Sequence, residues 1–328
     1  MELTRTEEQN ELAAIVRGLL EKRSDSGAVR TAIESDAGYD ADLWGTLCEQ
    51  IGAAALSIPE DLGGAGFTVA ESLVVLEELG RALAPSPMLA SLLAAEALVA
   101  AGSTEASERL LPRIAEGAVA TVAFGPDDVV NGADAEIVLA FVDGALVEVD
   151  PAVARTVTPA VDLTLPLASL DLASAGTTVV SEDPAVLRRV RDVAVVAAAA
   201  LQVGTMQRAL DDTVEYSKQR VQFGRTIGSF QALKHRMADM LVRLEMSRSA
   251  LLAASWALST GAEDATERAA VAGSYVSESL WSVAGEMVQL HGGIAITWEH
   301  DAHLVLKRAH SLGTLFGQPH EHRASIAL

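Results

Sequence analysis

Apolar residues recur every three to four positions along most of the chain, and the breaks in that rhythm divide it into three parts. In the first, up to about residue 117, Thr6 and Gln9 have the spacing of a capping box. Leu12, Ile15, Val16, Leu19 and Leu20 then mark one helical face. After a polar stretch, the run LWGTLCEQIGAAAL ends in SIPEDLGGAGF, where Pro59, Gly63, Gly64 and Gly66 break structure. Two more helical runs follow, VAESLVVLEELGRAL up to APSP and then MLASLLAAEALVAAG. Between 118 and 183 the rhythm shortens. AVATVAF, EIVLAFV and ALVEV read as strands, with Asp143-Gly144 as a hairpin turn between two of them. Pro151, Pro159 and Pro166 limit the regularity of this unit.

From Asp183 the helical period returns. Asp183 is placed to cap a helix with Pro184 in its first turn, and Val203, Met206, Leu210 and Val214 share one face. A second long helix is predicted from near Ser229, carrying Leu233, Met237, Met240, Leu244, Leu251 and Leu258. A third carries Val276, Leu280, Val283, Met287 and Leu290 and stops at Gly292-Gly293, and a shorter one spans Asp301 to His310. Long successive helices with this spacing predict bundle packing. The expected fold is mainly α with a small β domain: an N-terminal helical domain (1–117), an abbreviated β domain (118–183) and a C-terminal four-helix bundle (184–328).

Charge and composition narrow the functional classes. Asp and Glu number 45 against 24 Lys and Arg, a net charge of −21 that disfavours nucleic acid and anionic membranes as partners. The longest unbroken apolar run, Val193 to Leu201, is nine residues, against about 20 for a membrane span. The N-terminal MELTRTEEQNE is unlike a signal peptide, so a cytoplasmic location is expected. A lone Cys48 excludes an internal disulfide. Gly64 and Gly66 do not make a dinucleotide fingerprint, because the flanks are helical and no third glycine follows at the required spacing. Six histidines (His291, His300, His303, His310, His320 and His322) crowd the last 38 residues, yet no metal site is expected from them.

One segment runs against the overall charge. From Lys218 to Arg236 the chain holds Lys218, Arg220, Arg225, Lys234, His235 and Arg236 without an acidic residue. Guanidinium groups bind phosphate oxygens in pairs, and Gly224 allows close backbone approach. On charge alone, an anion site and a solvated loop both remain open.

The residues within that segment carry a resemblance. Arg220, Phe223 and Gly224, then Ile227, Phe230 and Gln231, then Ala238 to Met240 resemble the acyl-CoA dehydrogenase family, as do Gln289 to Gly293 with the following T-W-E and Lys-Arg pair. IPEDLGGAGF and VVLEELGRAL resemble its N-terminal domain. The resemblance implies FAD lying across a subunit boundary. Arg220, Gln222, Phe223 and Gln231 would meet the pyrophosphate and AMP portion, and Gln289, Gly292 and Gly293 the ADP-ribose region. His291 belongs to the same motif, and Glu299 matches an acidic position of structural character. A simple helix cap is the competing reading of Gly292-Gly293.

The resemblance also exposes losses. The family removes the α proton of an acyl-CoA thioester with a glutamate, and the two positions where members carry it read here as Phe316 and about Val195. The catalytic residue is therefore unknown, with Asp192 and Glu321 as nearby substitutes. The region TVAFGPDDVVNGAD lacks the family's flavin-binding loop. The chain thus resembles the short subunit of heteromeric α2β2 actinobacterial steroid side-chain acyl-CoA dehydrogenases. That implies a full-length dehydrogenase-like partner subunit supplying the flavin-ring pocket and the carboxylate, an acyl-CoA substrate and an electron-transfer flavoprotein as acceptor. The alternatives are a non-catalytic scaffold and a homomeric dehydrogenase with Asp192 as base.

Overall fold

A computed structural model describes residues 4–102 and 104–326. Among the described residues, six α-helices open the chain: α1 (Glu7–Arg23), α2 (Ser26–Ile33), α3 (Ala41–Thr46), α4 (Val69–Ala82), α5 (Met88–Ala101) and α6 (Glu105–Ala115). The predicted capping box at Thr6 and Gln9 forms in full, and a second one, Thr68 with Glu71, starts α4. The polar stretch after α1 hides a helix the apolar pattern does not announce. Asp25 caps α2 through Ala28 N, and only Val29 and Ala32 of its eight residues are buried.

Two small sheets follow. The larger pairs β1 (Ala120–Ala123) parallel to β3 (Ile137–Val142), then β4 (Ala145–Val149) and β7 (Thr177–Ser181) antiparallel. The smaller orders β2 (Val129–Val130), β6 (Leu167–Leu170) and β5 (Arg155–Thr158), all antiparallel. Asp143 and Gly144 both take positive φ, 50° and 87°, as the two-residue β3–β4 turn demands.

Asp183 caps the 36-residue α7 (Pro184–Gln219) through Ala185 N. A short hairpin of β8 (Val221–Gln222) and β9 (Arg225–Thr226) leads through a 3-10 turn at Ile227–Ser229 into α8 (Gln231–Thr260), slightly later than the predicted start. Then come α9 (Ala265–His291), α10 (Ala302–Leu312) and α11 (Pro319–Ala324). The chain thus has N-terminal helical, middle β and C-terminal helical parts, with α10 as the short fourth helix of the bundle. By length and composition α7 could cross a bilayer, but 83% of its apolar window is buried inside the protein, the pattern of a core helix.

Helix α7 is the spine of the molecule, and its crossing with α4 is unusually close. A Cβ added at Gly204 would lie 1.8 Å from Glu77 O, and one at Gly80 would lie 2.2 Å from Leu201 O. Only glycine on both sides lets the backbones meet, and Thr205 Oγ1 then donates to Gly80 O at 3.2 Å. Buried acids on the N-terminal helices are paired: Glu78 with Arg17, and Glu96 with Arg189 of α7. The β unit is tied to the bundle by buried Arg308 of α10. It donates from Nη2 to Thr164 Oγ1 at 2.6 Å and lies 3.5 Å from the Asp162 carboxylate.

Candidate functional site

The C-terminal end of α7 builds a cleft of about 540 Å³. The helix stops at Arg220, whose N–H still bonds Tyr216 O at 2.9 Å. The hairpin then turns on Phe223 (φ 53°) and Gly224 (φ 73°). For phenylalanine this left-handed backbone is strained, and the side chain is 92% exposed, its ring T-shaped to that of Phe230 with centroids 6.2 Å apart. Across the cleft α9 ends at Gly292, whose φ of 66° and ψ of −146° suit glycine alone.

The lining brings together Arg220, Gln222 and Phe223 from one side with Gln289, Gly292 and Gly293 from the other, residues about 70 positions apart. Gln231 is not on the wall; it stands exposed as the first residue of α8. The acid-free stretch resolves into different roles. Arg236 on the wall is held by Glu286 at 2.5 Å, Lys218 reaches Glu215 at 3.5 Å, and Arg225 lies over the Phe230 ring at 4.0 Å. Among the described residues no carboxylate pairs with Arg220. An unpaired guanidinium beside bare glycine backbone in an open cleft fits a phosphate-bearing group with adjoining polar edges.

Sequence reasoning left Tyr216 and the surroundings of His291 unread. His291 is 3% exposed and stacks on Tyr216, with ring centroids 4.4 Å apart and planes 25° apart. Its Nδ1 meets Met287 O at 2.8 Å, while Nε2 is buried with no hydrogen-bond partner among the described residues. Burial, with His300 nearby, pushes the imidazole below its usual pKa.

The positions of the missing glutamate converge elsewhere. Phe316 and Val195 line one groove of about 580 Å³ between α7, α9 and α11, with Asp192 and Glu321 also on its wall. Asp192 accepts from Thr266 Oγ1 at 2.7 Å, and burial raises its pKa. Glu321 is committed to Gln318 N at 2.7 Å, a helix-capping bond. His322 projects into the same place: a Cβ on Gly273 would come within 3.0 Å of its ring and 2.6 Å of Val195 Cγ1. Burial lowers the His322 pKa. On its other side Phe316 lines a partly open pocket of about 380 Å³ and meets Phe124 edge-on at 5.9 Å. No three His, Cys, Asp or Glu side chains converge as a metal cage among the described residues.

The chain belongs to the acyl-CoA dehydrogenase family, a class of oxidoreductases with FAD as cofactor. The family's C-terminal domain model matches residues 191–327 and its N-terminal domain model residues 6–118. Acyl-CoA dehydrogenase IpdE2 of Mycolicibacterium smegmatis is 47% identical over 317 residues, covering 96% of each chain. IpdE2 of Mycobacterium tuberculosis is 47% identical over 320 residues, covering 97% of this chain and 96% of its own. Among solved structures, the Tcur3481-Tcur3483 steroid dehydrogenase variant superposes with a TM-score of 0.89 at 28% identity, over 97% of this chain and 96% of that one. The ChsE4-ChsE5 complex from Mycobacterium tuberculosis gives 0.87 at 27%, over 99% and 97%.

Proposed function

We propose that this chain is one subunit of a hetero-oligomeric, FAD-dependent acyl-CoA dehydrogenase, and that it holds the pyrophosphate and adenosine of a flavin whose ring lies in the partner subunit. The observation that carries this reading is the division between two sites. Arg220 stands unpaired beside a strained, 92% exposed Phe223, whereas the glutamate positions hold Phe316 and Val195. A strained, solvent-facing aromatic ring is costly unless another surface covers it.

In this reading Arg220 binds phosphate oxygens, Gln222 and Gln289 meet polar edges of the nucleotide, and Gly292-Gly293 admit it close to the backbone. Gln231 belongs to the same set by resemblance. FAD, when bound, supplies the hydride acceptor for α,β-dehydrogenation of an acyl-CoA thioester. The proton acceptor comes from the partner, because neither a phenyl ring nor an isopropyl group takes a proton. A steroid-derived acyl-CoA is the proposed substrate class, supported by the steroid dehydrogenase among the similar structures. An electron-transfer flavoprotein is the proposed electron acceptor.

Asp192 supports a second reading, a homomeric enzyme, because its half-buried carboxyl shares the groove with Phe316 and has a raised pKa. Flavin content separates the two. Expressed alone, the chain should carry little flavin; expressed with the dehydrogenase-like chain encoded beside it, it should carry about one FAD per unlike pair. Full flavin occupancy with turnover in the isolated chain would establish the homomeric enzyme, and a colourless complex would leave a scaffold.

A further inference from the structure

The loop between β5 and β6 buries its polar side chains and shows its aliphatic ones to water. From Pro159 to Thr164 the buried residues are Asp162 and Thr164, while Val161 is 54% exposed and Leu163 37%. A turn sets the local shape. Asp162 Oδ1 accepts from Thr164 N at 2.9 Å and from the Thr164 hydroxyl, and Leu165 N donates to Asp162 O at 3.3 Å. What draws the polar groups inward lies on α10. Arg308 donates from Nε and Nη2 to Thr164 Oγ1, at 3.0 and 2.6 Å, and Ser311 Oγ accepts from Asp162 N at 3.3 Å. The guanidinium thus reaches the carboxylate through a hydroxyl, and directly only at 3.5 Å. Asp162 Oδ2 and Arg308 Nη1 are buried with no hydrogen-bond partner among the described residues. A buried ion pair offsets the loss of its hydration only when its remaining groups are satisfied, so this one holds the loop with less than its full strength.

We propose that this loop is a releasable strap, latched to α10 by Arg308 through Thr164 and Asp162. Release exposes little new apolar surface, because Val161 and Leu163 already face water, and it returns a carboxylate and a guanidinium to solvent. A segment held mainly by polar bonds opens before one held by packing. The strap leads directly into β6, whose Leu167 and Ala168 pair with Val130 and Val129 of β2. Those two valines line the pocket of about 380 Å³ beside Phe316. Opening the strap therefore loosens one wall of that pocket, and Arg308, which is not on its lining, is a positioning residue for it.

Hydrogen exchange of the full chain, read by mass spectrometry, tests the latch. In the wild-type protein the strap, β6 and β2 should exchange together and faster than β1 and β3. Thr164→Val keeps the shape and removes the hydroxyl between the two charges. It should speed exchange in the strap, β6 and β2 by roughly ten- to a hundredfold, with α4 and α7 unchanged. Thr164→Ser keeps the hydroxyl and should exchange as the wild type does. Replacing the whole polar set, Arg308→Met with Asp162→Leu and Thr164→Val, should shut the strap by packing, with exchange slower than wild type and a melting temperature equal or higher. Unchanged strap exchange in Thr164→Val overturns the proposal. So does an equal acceleration in every segment, which would make the three residues a support of the whole fold and no latch. A folded triple variant whose strap exchanges faster than that of Thr164→Val overturns it as well.

Discussion

The two ends of α7 carry different chemistry. At its C-terminal end the cleft holds an unpaired Arg220, left-handed Phe223 and Gly224, and the bare backbone of Gly292. Of these, left-handed Phe223 is strained, and the guanidinium beside open backbone suits a charged ligand. Nearer its N-terminal end the groove around Phe316 mixes aliphatic and polar walls: Asp192 bonds Thr266 and Glu321 caps α11, with Arg188, Arg191 and His322 beside them. The contrast teaches that the cleft sets an unpaired guanidinium beside bare glycine backbone, whereas the groove holds Phe316 and Val195 at the positions where the resemblance expects a glutamate.

Because both regions hang on α7, the largest effect should come from its crossing with α4. Gly204→Ala places a methyl 1.8 Å from Glu77 O, and urea unfolding should report a loss of about 3 kcal/mol, with both regions disturbed together. Arg220→Ala should break the cleft alone. Loss of its charge-assisted bonds, about 1.5–3 kcal/mol, should weaken FAD retention in the complex by one to two orders of magnitude at unchanged melting temperature. Unchanged retention would remove Arg220 from the site. Phe316→Ala should break the groove alone. Its ring is only half-buried and meets Phe124 edge-on, so a loss of about 1–2 kcal/mol is expected, below that of a fully buried ring. FAD retention should not change.

The smallest effect concerns pH. Burial holds His291, His303 and His322 below the ordinary imidazole range. The unfolded chain then binds more protons than the folded one below pH of about 6.5. Stability should therefore be unaffected above that pH and decline as pH falls through the folded-state values. His322→Gln should reduce the decline from the groove, and His291→Phe that from the cleft. Thermal melts between pH 5 and 8 would separate the two contributions.

Much of this was legible locally. The Thr6–Gln9 box, the Asp143-Gly144 turn, the Asp183 cap and the stop at Gly292 depend on residues within a few positions of one another, and each formed as read. Helix α2 was not legible, because it is only eight residues long with two of them buried, and its start depends on a single aspartate cap. The motifs named the cleft residues, yet nothing in them separated Gln231, which stays off the wall, from Tyr216, which lies on it. The unusual burial of His291 Nε2 had no sequence signal, since it depends on Tyr216 and His300 arriving from separate elements.

By itself, the sequence determined the order of helical, β and helical parts, the concentration of cations between Lys218 and Arg236, and the absence of glutamate at Phe316 and near Val195. These are matters of residue type and short-range periodicity. Only the tertiary structure decided which cations stay free, because Glu286 and Glu215 neutralise Arg236 and Lys218 while no carboxylate among the described residues reaches Arg220. It alone brought Phe316 and Val195, 121 positions apart, onto one groove. Pairing and enclosure depend on distances between elements, and those distances are fixed by how closely α7 packs on its neighbours.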